Sequence, residues 1–169
     1  MLYTSAEAAK VLKKLNDELA ALLEKESNTC VFNAALGEDV DSVRPAYDYA
    51  GTQAQAEQLE QQIRTLKHAL NQFNVAHEVP GFGMTIDEML VYIPQLTKKK
   101  AKLAAMRARL PKARVDVMFG RQSSVIDYKY ANYDIAQVDN DYRRVTDRLA
   151  EAQLALDSVN SSETFTVEF

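Results

Sequence analysis

The sequence predicts a mainly α protein of the α+β kind, an antiparallel bundle of four long helices with a small β-sheet element at one end. Three observations carry this. Four segments have helical periodicity, and three of them alternate apolar spacings of three and four, the period of a bundle seam. Two helices open at Thr-x-x-Glu capping boxes, Thr4 with Glu7 and Thr85 with Glu88. Short stretches between and after the helices alternate with a period of two, as strands do. With 169 residues, 47% of them apolar, the chain can bury a core without disulfide or metal, and one domain over 1–169 is expected.

The first helix starts at the Thr4 box, carries the stripe Ala8, Leu12, Leu15, Leu19 and Leu22, and ends near Ser27. The second is expected from about Pro45, a good first helical residue, to about Asn74. Its seam is Tyr49, Ala56, Leu59, Ile63, Leu66, Leu70 and Phe73, with Gly51 weakening the first turns. The third begins at Thr85, buries Ile86, Met89, Ile93, Leu96, Leu103, Met106 and Leu110, and stops at Pro111. Pro94 lies inside it, lacks an amide hydrogen and meets the Leu90 carbonyl, so a kink or a split is expected there. The fourth has the cleanest register: Ile135, Val138, Tyr142, Val145, Leu149, Ala152, Leu156 and Val159, with Asp134 as N-cap.

Residues 29–36, 124–133 and 164–169 read as strands, and 115–119 as a fourth candidate. Isolated strand pairs are marginal in water, so the pieces are expected to share one sheet that buries their Phe and Tyr rings. In the last piece Phe165, Val167 and Phe169 should face inward.

The net charge is −4, yet residues 98–114, KKKAKLAAMRARLPKAR, hold eight bases and no acid, leaving 12 bases against 24 acids elsewhere. On a helical wheel Lys98, Lys102, Arg109 and Lys112 cluster on one side while Lys100, Arg107 and Arg114 flank the other, so the charges surround the seam. Pairing with acids such as Glu57, Glu60, Asp139, Asp141, Asp147 and Glu151 is the favoured reading. The alternative is a nucleic-acid contact through Lys98, Lys99, Lys102, Arg109 and Lys112. The apolar runs are too short to span a bilayer and the start lacks a secretory pattern, so a soluble, cytoplasmic protein is expected. The single Cys30, read as a small buried residue, suits a reducing compartment.

Catalytic chemistry finds little footing. His68 and His77 are not at i, i+4 spacing and read as two exposed histidines; no metal or other cofactor is expected. The run 80–83 contains GFG but no following Lys or Ser, and reads as a turn before the Thr85 cap. The pairs Asp39/Asp41 and Asp139/Asp141 read as solvated, and Asn71 with Asn74 as helix C-terminal residues. Tyr128 and Tyr130 share one face of their strand, opposite Tyr133. Core packing is favoured for them over a base-stacking platform.

Four stretches, LNQFN with Asn71 and Asn74, MTIDE from Met84, SSVIDYKYANYDIAQ, and LALDSVN, follow one another in an order that resembles the septicolysin-like family of small bacterial helical proteins. The resemblance spans nearly the whole chain and implies a fold; it transfers no active-site residue. Because the chain invests in helix seams and offers no convergent catalytic constellation, the function expected is a non-enzymatic oligomeric interaction or scaffold protein, most simply a homodimer. The alternatives are a nucleic-acid-binding accessory protein using 98–114 and, from the family's name alone, a toxin-like or membrane-active protein.

Overall fold

Thr4 starts the first long helix by the reciprocal capping its sequence predicts: the Glu7 amide donates to Thr4 Oγ1 at 3.2 Å and the Thr4 amide to Glu7 Oε2 at 2.9 Å. The same box at Thr85 and Glu88 opens another. The computed structural model describes residues 1–115 and 126–168, and it is mainly helical with minor β structure. The order is β1 (Leu2–Thr4), α1 (Ser5–Thr29), the single turn α2 (Val40–Val43), α3 (Tyr49–Ala76), β2 (Glu78–Val79), β3 (Met84–Thr85), α4 (Ile86–Arg107), β4 (Lys112–Arg114), β5 (Tyr128–Tyr130), α5 (Ile135–Ser162) and β6 (Thr164–Thr166). By contacts the chain divides into two compact units, Met1–His77 with Ser158–Phe169, and Glu78–Asp157.

In the first unit α1 and α3 run antiparallel: Gln53 at the start of α3 reaches Glu26 near the end of α1, while Leu66, late in α3, joins Ala8 and Leu15 of α1 in the core. β1 and β6 pair antiparallel with Tyr3 opposite Phe165, and the ribbon is extended by Met1 N donating to Val167 O at 2.6 Å and Val167 N to Met1 O at 2.8 Å. That pairing delivers Val167, 2% exposed, onto Ala8 and Leu66. Phe165 stacks on Phe73 at 5.0 Å.

In the second unit α4 and the first part of α5 are antiparallel, since Tyr133 donates to the Met106 carbonyl at one end and Arg148 lies over Phe82 at the other. β2 and β3 are joined by a tight turn in which Phe82 N bonds Val79 O at 3.2 Å, with Pro80 at its second position and Gly81, φ +80°, at its third. Proline pre-sets the first of these angles and only glycine meets the second without strain, so the 80–83 turn is as the sequence predicts. Asp134 caps α5 by accepting from the Ala136 amide at 2.8 Å. Val138, Val145, Leu149, Ala152, Leu156 and Val159 are all buried along α5.

Several expectations are corrected. α3 starts at Tyr49, not Pro45: Asp48 is the N-cap, accepting from Gly51 N at 3.1 Å, and a Cβ at Gly51 would come within 2.4 Å of Asp48 Oδ2. The glycine makes room for the cap, and Tyr49 points outward. α4 passes through Pro94 as one helix, so the split does not occur, and it ends at Arg107, which leaves Leu110 exposed and off the seam.

Residues 29–36 form no strand. Thr29 stays in α1, Cys30 caps it through Glu26 O at 2.8 Å and is exposed, not buried, and a turn about Gly37, φ +88°, leaves Leu36 fully exposed. An apolar run without a neighbouring strand has no ladder to satisfy its backbone. The remaining strands form three separate two-stranded ribbons and do not share one sheet. Residues 116–119, 124–125 and Phe169, which were expected to extend strands, lie outside the described residues.

Because β6 holds Val167 in the core, Val167→Ala should lower stability by about 2 kcal/mol from lost methyl burial and an unfilled space, or about 4–8 °C in melting temperature. Thr166→Ala, on the exposed side of the same strand, should change the thermal melt little.

Candidate functional site

The basic segment changes direction where α4 ends. Lys98, Lys99 and Lys102 lie exposed on α4. Arg109 follows the Ala108 C-cap, and Lys112 begins β4. The helical wheel that placed Arg109 and Lys112 beside Lys98 and Lys102 is therefore corrected: Pro111 cannot continue the helix, and the bases after Arg107 are carried by a loop and a strand. Arg107 behaves as the pairing reading expects, 3.0 Å from Asp139 and 4.4 Å from the Tyr142 ring. Lys98, Lys99, Lys102, Arg109 and Lys112 make no ion pair among the described residues.

β4 and β5 pair antiparallel with Lys112 opposite Tyr130, Ala113 opposite Lys129 and Arg114 opposite Tyr128. The ribbon is closed at its base by Ala131 N to Pro111 O at 3.0 Å and continues to Val115 N on Asp127 O at 2.9 Å. Strand alternation sets Lys112, Arg114, Tyr128 and Tyr130 on one face. The Lys112 ammonium sits 4.1 Å from the Tyr128 ring centre and 5.5 Å from that of Tyr130. Core packing of these two tyrosines is corrected, for they are 45% and 65% exposed. On the other side a cleft of about 360 Å³ is lined by Arg109, Leu110, Ala113, Lys129 and Tyr130.

The carboxylate pairs serve structural ends. Asp39 caps α2 by accepting from Asp41 N at 3.2 Å, and Asp41 meets Arg44 at 3.1 Å. Asp139 is held by Arg107 and Arg143, and Asp141 by Arg144. No group of three or more His, Cys, Asp or Glu among the described residues is arranged to hold a metal. His68 is exposed as expected, but His77 is half-buried at the C-cap of α3, stacked on Phe73 at 3.9 Å. Asn71 and Asn74 fall inside the last turns of α3, so they do not cap it, and Asn74 Oδ1 and His77 Nδ1 are buried without a partner among the described residues.

Sequence reasoning missed a polar lock at the far end of the first unit. Tyr47 donates to Glu26 Oε1 at 2.5 Å and Gln53 Nε2 to the same oxygen at 2.7 Å, beside a cleft of about 720 Å³ lined in part by Leu22, Lys25, Asp48 and Thr52. Tyr47 lies in a stretch after Pro45 that has no periodicity to place its side chain. The lock ties the 30–48 connection to α1. The Glu26 hydrogen bond and partial burial push the Tyr47 phenol up to about 12.

No family model and no curated protein matches the chain. It is similar in structure to a functionally unknown conserved protein from Corynebacterium diphtheriae, with a TM-score of 0.64 and 16% identity over 98% of this chain and 100% of that one. At that identity the likeness supports the fold alone.

The lock predicts a pH dependence. With its folded-state pKa above the ordinary 10.0, Tyr47 favours the fold while protonated, so its contribution is whole below pH 10 and is lost as pH rises toward about 12. Denaturant titrations of Tyr47→Phe and the parent should converge across that window; a constant difference would show that the phenol proton has no part in the lock.

Proposed function

We propose that the chain is a non-enzymatic oligomeric interaction protein, its four long helices forming an antiparallel bundle that a second copy completes. One observation carries this: the apolar seam of the first unit is incompletely covered. Of its heptad positions, Ala8, Leu15, Ala56, Leu66 and Phe73 are buried, while Leu12, Leu19, Leu22, Leu59, Ile63 and Leu70 are only partly buried, and Leu23 beside the stripe is 46% exposed. A pair of helices buries one stripe each against its partner, and a wider apolar band needs another layer. In the second unit Leu90, Val91 and Leu154 are exposed as well.

The engagement of the carboxylate pairs in caps and ion pairs supports a role without acid-base chemistry. The likeness to the septicolysin-like family and a cytoplasmic setting belong to the same proposal. No helix among the described residues is long and apolar enough to cross a membrane.

Light scattering at micromolar concentration should show more than one chain, and the melting temperature should rise with protein concentration, as for any assembly that dissociates on unfolding. A monomer with a concentration-independent melt overturns the proposal.

A further inference from the structure

We propose that the β4–β5 ribbon is a stacking platform for single-stranded nucleic acid, with Tyr128 and Tyr130 receiving bases and Lys112 and Arg114, on the same face, meeting phosphates. The charge pattern singles this place out. Acids outnumber bases in the chain, and every described arginine away from the ribbon, Arg44, Arg64, Arg107, Arg143, Arg144 and Arg148, has a carboxylate within 3.7 Å. Arg109 and Arg114 have none among the described residues. Across 109–115 and 126–131 there are four bases and one acid, Asp127.

The rings single out the same face. Two tyrosines two residues apart on one strand face stand about 6.8 Å from each other, twice a base-stacking step. They are exposed where an aromatic pair would ordinarily be buried. Lys112, between them over both ring faces, keeps the rings oriented and leaves its ammonium at the middle of the platform. Alternating cations and ring faces match a strand whose phosphates and unstacked bases alternate in the same way, whereas an acidic peptide would use the cations and leave the rings idle. A duplex hides its base faces, so it should bind less well.

Fluorescence anisotropy of a labelled pyrimidine single strand of about ten nucleotides, with the full-length protein at about 50 mM salt, tests this. The single strand should bind at least about tenfold more tightly than the same sequence as a duplex, with affinity falling steeply as salt is raised. The double variant Tyr128→Ala/Tyr130→Ala should lose at least about tenfold, and Tyr128→Phe/Tyr130→Phe should retain binding, because stacking needs the ring and not the hydroxyl. Lys112→Gln and Arg114→Gln should each weaken binding and reduce its salt dependence. Far-ultraviolet circular dichroism of each variant should match the parent, and the Phe pair keeps the test valid if the Ala pair perturbs the ribbon. No binding by the parent, equal binding of duplex and single strand, or unchanged binding by the folded Ala pair would overturn the proposal. So would a Lys98→Gln/Lys99→Gln/Lys102→Gln variant that alone abolishes binding, or equal binding of a labelled polyglutamate peptide, which would assign the ribbon to an acidic protein partner.

Discussion

Pairing of the first strand with the last is the constraint on which the first unit depends. β1 and β6 are three residues each, far too short to persist as an isolated ribbon. They persist because the pairing places Val167 onto Ala8 and Leu66 and Phe165 onto Phe73, so that a few backbone hydrogen bonds and an apolar contact support one another. Segments more than 160 residues apart, Met1 and Val167, are thereby joined. Between them the chain leaves the first unit after His77, forms the compact unit Glu78–Asp157, and returns along α5 at Ser158.

Helices were legible where chemistry repeats or reciprocates. Both Thr-Glu boxes, the Asp134 cap and the α5 seam could be found because a cap needs two residues three apart and a seam needs many residues in register. Strands were legible as alternation but not as partners: nothing in Tyr128, Lys129 and Tyr130 says that Lys112, Ala113 and Arg114 lie beside them, since pairing is set by where the helix ends come to rest. Gly51 is a poor helix former, yet it sits in the first turn, where its amide donates to the Asp48 carboxylate that starts the helix. At 29–36 an apolar composition resembled a strand, and only the absence of a partner showed otherwise.

The basic segment shows how a single boundary changes a functional reading. While α4 is assumed to run to Leu110, its charges surround a seam and their neutralisation by neighbouring acids is the natural expectation. Ending the helix at Arg107 divides the set: Arg107 is the one that finds Asp139 and Tyr142, and the bases beyond it pass to a two-stranded ribbon with exposed rings. Arginine's planar fork makes an unpaired pair of them informative, because its rigid donors are readily matched by any carboxylate in reach.

β1 and β6 hold the first unit together only as one cooperative piece with the helices they cover. Native-state hydrogen exchange of the Val167 amide, which donates to Met1 O at 2.8 Å, measures this directly. The account predicts that it exchanges with an opening free energy close to that of the Leu66 amide in the middle of α3, both falling together as denaturant is added. Exchange at the rate of an unprotected terminus, with Leu66 still protected, would contradict it and leave the first unit as a helix pair without its clasp.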